Sequence, residues 1–87
     1  MNKDCETSRT LKSFRSKKGK TLEEASADIG WHFNTYSRRE NNPFSSTLIN
    51  LFEMVNNLEG DFNEFFNAIE QDFKSYKENA IVRQDKE

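Results

Sequence analysis

TLEEASADIGWHFNTYSRRENN, residues 21–42, reads as helix, tight turn, helix. Thr21 is a good N-cap, and Glu24 three residues on completes a capping box, so two orphan amide donors are satisfied where the first of these helices begins. Leu22, Ala25 and Ile29 then recur at helical spacing on one narrow face. Gly30 follows at once, where a left-handed residue is cheapest and a helix can stop. Phe33 to Glu40 opens a second helical run.

Two short helices joined by about three or four residues containing Gly form the helix-turn-helix motif, which presents its second helix to a DNA groove. Toward the N-terminus, the spacing predicts a helix from Thr7 to about Lys18, with Leu11 and Phe14 inward. Lys17-Lys18-Gly19-Lys20 ends it, since cations complement a helix C-terminus and Gly supplies the exit. After Pro43 a fourth helix fits Ser46 to Asn56, capped by Ser45 or Ser46. Leu48, Leu51, Phe52 and Val55 form its inward stripe. Residues 57–60 read as a turn. A fifth helix should run from Phe62 to about Lys77, with Phe62, Phe65, Phe66, Ile69 and Phe73 along one face. Residues 1–6 read as a flexible N-terminus, 7–77 as one domain, and 78–87 as a polar tail or linker without period.

The chain has 87 residues, 33% hydrophobic and 32% charged, with eight Phe, one Trp and two Tyr. A chain of this size hides only roughly 60% of its unfolded surface, so a partner is expected to share the load. The aromatic count argues for a folded chain over a disordered one. A lone cysteine, Cys5, cannot close an internal disulfide, which favours a reducing, cytoplasmic setting. No apolar run approaches the ~20 residues that span a bilayer, and no signal peptide opens the chain. Net charge is −2, but residues 1–42 hold nine Lys or Arg against six Asp or Glu, and residues 43–87 hold four against nine. That asymmetry suggests a basic DNA-facing half and an acidic half turned away, against a plain reading of random surface charge.

Lys18-Gly19-Lys20-Thr21-Leu22-Glu23-Glu24-Ala25, then Ile29-Gly30, then Tyr36-Ser37-Arg38-Arg39-Glu40 resembles the Cro/C1-type (XRE) helix-turn-helix DNA-binding domain, over about Leu11 to Phe66. The resemblance implies an all-α, five-helix, lambda-repressor-like fold. Thr47-Leu48-Ile49-Asn50-Leu51-Phe52-Glu53-Met54 further resembles the matching helix of Rgg-type regulators, a Gram-positive branch of that group. Departures stand out. Leu22 occupies a place where the family often has Gln, whose amide contacts the phosphate backbone. Ala25 replaces a larger core residue and Ser26 an Ala, and Trp31 with the Phe side chains is expected to refill the volume. Arg39 sits at a usually apolar position, where it snorkels or reaches a phosphate. Asn41-Asn42 replaces a frequent Arg/Lys-Gly, and Asn tolerates the left-handed conformation expected at such a corner.

A recognition helix reads base edges from the major groove with residues near its N-terminus. The resemblance places Tyr36 and Glu40 inward and leaves Phe33, Asn34, Thr35 and Arg38 as base readers. Asn34 can bond adenine in pairs, Arg38 can reach guanine or a phosphate, and Phe33 or the Thr35 methyl can pack on a thymine methyl. Phe33 has a plain alternative, closing the core beside Trp31. Phosphate contacts are expected from Lys17, Lys20, Thr21, His32, Arg39, Asn41, Asn42 and Ser46. For the lysines a solvated face with favourable dipole chemistry is equally open. His32 fits a cap or phosphate role. It is the only histidine, so no metal site can be assembled around it. By the resemblance, Glu40 faces Arg15 and forms a structural ion pair between the first helix and the recognition helix.

These observations predict a sequence-specific transcriptional regulator binding double-stranded DNA as a homodimer, through part of Phe62, Phe65, Phe66, Ile69 and Phe73. A longer Rgg-like protein, with a peptide or protein effector acting through a further C-terminal domain, is also compatible. The alternative is a protein-interaction module of antitoxin or anti-repressor type that keeps the fold without reading DNA. Leu22 at the Gln place and the negative net charge support it. Nothing points to an enzyme or a cofactor, because no nucleophile–base pairing, phosphate-cradling Gly loop or metal-ligand spacing is present.

Overall fold

The computed structural model describes residues 5–85, with side chains described through 78. Five α-helices follow one another: α1 (Glu6–Lys17), α2 (Leu22–Asp28), α3 (Phe33–Asn41), α4 (Leu48–Asn57) and α5 (Phe62–Asp85), with a 3-10 turn at Pro43–Ser45 before α4. Among the described residues there is no strand. The all-α, five-helix expectation is met.

From the end of α1 to the end of α4, the helices start and stop for local reasons. The Thr21 hydroxyl accepts from the Glu24 amide at 3.1 Å and the Glu24 carboxylate accepts from the Thr21 amide at 2.9 Å, the reciprocal pair foreseen for α2. Gly19 (φ 68°) carries the chain out of α1, and Gly30 (φ 76°) carries it out of α2. Both sit in the left-handed region that costs a Cβ-bearing residue about 1–2 kcal/mol. Thr47, not Ser45 or Ser46, caps α4, its hydroxyl accepting from the Asn50 amide at 3.2 Å. Ser45 is instead held in the 3-10 turn, donating to the Asn42 carbonyl at 2.7 Å. The α4 exit uses Glu59 at φ 53°, the one non-Gly residue in the left-handed region among those described, with the Gly60 amide donating to the Val55 carbonyl at 2.9 Å.

The core is Leu11 and Phe14 of α1, Ala25 of α2, Tyr36 of α3, Leu51, Met54 and Val55 of α4, Leu58, and Phe65 of α5. Trp31, Leu22, Ile29, Phe52 and Ile69 pack against it from the edge, with the Trp31 ring 5.9 Å from that of Tyr36. Gly60 lets the α4–α5 turn lie against Phe14, where a Cβ would sit 2.5 Å from the ring.

Several expectations need correction. Leu48 does not join the inward stripe. It is 56% exposed, because the first turn of α4 projects beyond the core, and Met54 takes a buried place instead. On α5 only Phe65 is fully buried, while Phe62, Phe66 and Phe73 stay largely exposed. Neither Asn41 nor Asn42 is left-handed. Asn41 ends α3, and Asn42 (φ −136°, ψ 75°) keeps a negative φ and leaves the α region, which the following Pro43 disfavours. Helix α5 runs past Lys77 to Asp85, and α1 starts at Glu6. The remainder of the expected flexible N-terminus and polar tail lies outside the described residues.

What anchors the start of α1 was not legible beforehand. Asp72 of α5 accepts from the backbone amides of Glu6 and Thr7, both at 2.9 Å, and from the Thr7 hydroxyl at 2.6 Å. A carboxylate supplied from the far end of the chain thus takes the place of a local cap. Burial works against the Asp72 carboxylate, but the Thr7 hydroxyl and the two amides outweigh it and hold its pKa below the usual 3.8.

Candidate nucleic-acid interface

Helix α3 is capped by His32, whose Nδ1 accepts from the Asn34 amide at 3.1 Å. Arg38 and Arg39 lie in its last turn, where they complement the negative end of the helix. Tyr36 and Glu40, one turn apart, are 0% and 1% exposed and define the inward face. Asn34 and Arg38, also one turn apart, lie on the opposite side of the helix and are exposed. Phe33 is 40% exposed, so it does not close the core. Thr35 is half-buried at the margin.

The ion pair expected between Arg15 and Glu40 is present. Arg15 Nε donates to one Glu40 carboxylate oxygen at 2.8 Å and Nη2 to the other at 3.2 Å, a two-pronged bond across α1 and α3. A third nitrogen, Nη1, donates to the Lys20 carbonyl at 3.2 Å and ties the α1–α2 connection to the same pair. Hydrogen bonding to Glu40 raises the Arg15 pKa further above its ordinary value. Beside the pair, the Tyr36 hydroxyl is pushed up to about 12, first by burial and then by the Glu40 charge. That hydroxyl is enclosed and has no hydrogen-bond partner among the described residues.

The expected phosphate-contacting residues divide into two groups. Lys17, His32, Asn41 and Asn42 are exposed around the ends of α1 and α3. The others are partly committed within the fold. Lys20 is paired with Asp28, which bridges the two ends of α2. The Thr21 hydroxyl is used in the capping box. The Ser46 hydroxyl is buried without a partner among the described residues, so it is not presented outward. Arg39 lies with its guanidinium carbon 4.5 Å from the Trp31 ring centroid, stacked on the residue just before the cap. Trp31 as the platform for Arg39 was missed in the sequence. Its signal is an aromatic residue immediately before the cap and an Arg two turns into the helix. Leu22 is half-buried against the core edge, so it serves packing where a Gln would reach outward.

The arrangement is a short helix held at its inner face by an ion pair and a buried ring, with amide and guanidinium side chains turned outward. The family model for Helix-turn-helix (HTH_3, the Cro/C1 or XRE type) matches residues 11–65, and the chain belongs to that family. Comparison with curated proteins and with solved structures returned no match. The family is one of DNA-binding transcription regulators, which makes DNA the partner at that level. Among the described residues, no helix is long and apolar enough to cross a membrane.

Proposed function

We propose that this protein is a sequence-specific, DNA-binding transcriptional regulator that lays α3 in the major groove. The observation that carries this reading is the exposure of Asn34 and Arg38 opposite the buried Tyr36–Glu40 face. Asn34 reads adenine N6 and N7, Arg38 reads guanine or an adjoining phosphate, and Phe33 with Thr35 packs on thymine methyl groups. Phosphates are contacted by Lys17, His32, Asn41 and Asn42, by the Leu22 amide at the start of α2, and by Arg39 and Lys20 once they exchange their present partners. Domains this small bind as symmetric dimers with half-sites about 34–36 Å apart, and the exposed aromatic residues of α5 supply the apolar surface for such a pair. The α4 segment supports a place in the Rgg-like branch, in which an effector acts through a further domain.

The interaction-module reading draws on two observations, the commitment of Leu22 to packing and that of Lys20 to Asp28. A shift assay against the DNA upstream of the protein's own coding sequence, run between about 50 and 200 mM salt, separates the two. A regulator loses affinity steeply over that range, by about 10³ or more if it makes six or more phosphate contacts. Absent or salt-insensitive binding together with one stoichiometric protein partner overturns the regulator reading.

A further inference from the structure

Three exposed rings stand apart from the aromatic packing of this protein. Phe52, Phe62, Phe65 and Phe66 pack ring against ring at centroid distances of 5.7–6.4 Å, and Trp31 packs on Tyr36. Phe44, Phe73 and Tyr76 make no ring–ring contact among the described residues and are 57%, 56% and 64% exposed. Yet they are not scattered. With Ile69 and Asp72 they line one groove of about 400 Å³ between α5 and the 3-10 turn. Small-molecule sites fall in the range of about 300–1,000 Å³.

The walls select the charge of the guest. Ring faces are electron-rich and attract a cation placed over them. Phe73 already shows this, since Lys77 lies over its ring with Nζ 5.9 Å from the centroid. Lys77 itself is exposed and does not line the groove. Asp72 is the one charged residue that does, and with a pKa below the usual 3.8 it is ionised at neutral pH. The half of the chain that forms the groove, residues 43–87, carries nine Asp or Glu against four Lys or Arg. A cation is therefore drawn to this end of the molecule. Its kind follows from the bonds of Asp72. Both carboxylate oxygens already accept, from the Glu6 and Thr7 amides and the Thr7 hydroxyl. A primary ammonium brings three N–H donors, for which Asp72 has little acceptor capacity left. A quaternary ammonium has no N–H and needs only charge and ring faces.

We propose that this groove binds a small soluble organic cation with a trimethylammonium head, held over Phe44, Phe73 and Tyr76 in the field of the Asp72 carboxylate. Of the α5 rings it uses Phe73 and Tyr76, which leaves Phe62 and Phe66 for pairing, and it stands whether or not α3 reads DNA. Each exposed ring face favours a cation over a neutral molecule of the same shape by about twofold to fivefold. The three together favour it by about tenfold or more.

Choline, its neutral isostere with carbon in place of nitrogen, and ethanolamine are each titrated into the full chain without DNA. Binding is followed by the ring-current shift of the ligand protons, with sedimentation of the same samples. Choline binds with a dissociation constant of about 1–30 mM, the range for a ligand of seven non-hydrogen atoms at ordinary efficiency. The isostere binds about tenfold more weakly, and ethanolamine also binds more weakly than choline. Phe73→Leu and Tyr76→Leu keep apolar bulk and lose the ring face. Each weakens choline about twofold to fivefold and leaves the isostere unchanged. Asp72→Asn weakens choline by a similar factor of about twofold to fivefold, again without effect on the isostere. Isostere binding and circular dichroism confirm that the groove and helices survive in each variant. The proposal is overturned by absent choline binding, by equal affinity for choline and either comparison ligand, or by variants that hold choline as the wild type does. Choline binding lost as the chain self-associates overturns it in favour of a second copy in the groove. Retention on phosphatidylcholine vesicles without binding of free choline overturns it in favour of a membrane surface.

Discussion

Replacing Glu40 with Gln keeps the shape of the side chain and removes its charge from a site where little solvent can compensate. The side chains of Glu40 and Arg15 are 2% and 20% exposed, and the two bonds between them are 2.8 and 3.2 Å long. Breaking a fully buried pair costs about 3–5 kcal/mol, because the surviving charge is left without a partner. Here Arg15 keeps some access to water and its bond to the Lys20 carbonyl, and the replacement amide retains one acceptor, so about 2–3 kcal/mol is expected. For a domain of this length that lowers Tm by about 10–20 °C. Thermal unfolding of wild type, Glu40→Gln, Arg15→Met and the double variant forms a cycle, in which a coupling of at least about 1 kcal/mol is expected. The same variants should lose DNA affinity at temperatures where they remain folded, since the pair sets the pose of α3 against α1. A coupling below about 0.5 kcal/mol would show that α3 is held by its packing alone and refute this reasoning.

Tyr36→Phe should be neutral or stabilising by up to about 1 kcal/mol, because it deletes a buried hydroxyl with no partner among the described residues. The wild type should also lose stability as pH rises from 10 toward 12, since the unfolded phenol ionises near 10.0 and the folded one near about 12. Denaturant melts across that range should show this loss diminished in the Phe variant. Asp72→Asn should cost about 0.5–2 kcal/mol at neutral pH, as the loss of a helix cap does. Because the folded Asp72 pKa lies below 3.8, the carboxylate's contribution is complete above that value and disappears as pH falls through the folded one. The gap between wild type and variant should close in acid, and a gap that widens there would contradict the assignment. Gly60→Ala should cost about 1–3 kcal/mol by chemical denaturation, because its Cβ meets the Phe14 ring at 2.5 Å. Gly30→Ala meets no atom within 4 Å and should cost only the about 1–2 kcal/mol of its backbone conformation. Arg38→Ala and Asn34→Ala should each weaken operator binding by about 1–3 kcal/mol in shift assays. Asn34→Ala should in addition relax preference at one base pair, and equal loss on all sequences would reassign Asn34 to a phosphate.

The order of residues by itself determined the parts of this protein whose causes lie within one or two helical turns. The Thr21–Glu24 capping box, the left-handed exits at Gly19 and Gly30 and the His32 cap are bonds or torsions between near neighbours, so the local pattern encodes them. The inward set of Leu11, Phe14 and Ala25 follows from helical period and register, whereas Tyr36 was placed inward by resemblance to the Cro/C1 family. The Arg15–Glu40 pair spans 25 residues and was legible only through resemblance to the Cro/C1 family. Tertiary structure alone decided the rest. Asp72 reaches α1 across 66 residues, and no local signal marks one acidic residue among several on α5 for that place. Leu48 and Phe73 satisfy the same spacing rules as their buried neighbours, yet stay exposed because no other described helix covers them. Period fixes the direction in which a side chain points; burial needs something for it to point at, and that depends on where the other helices end.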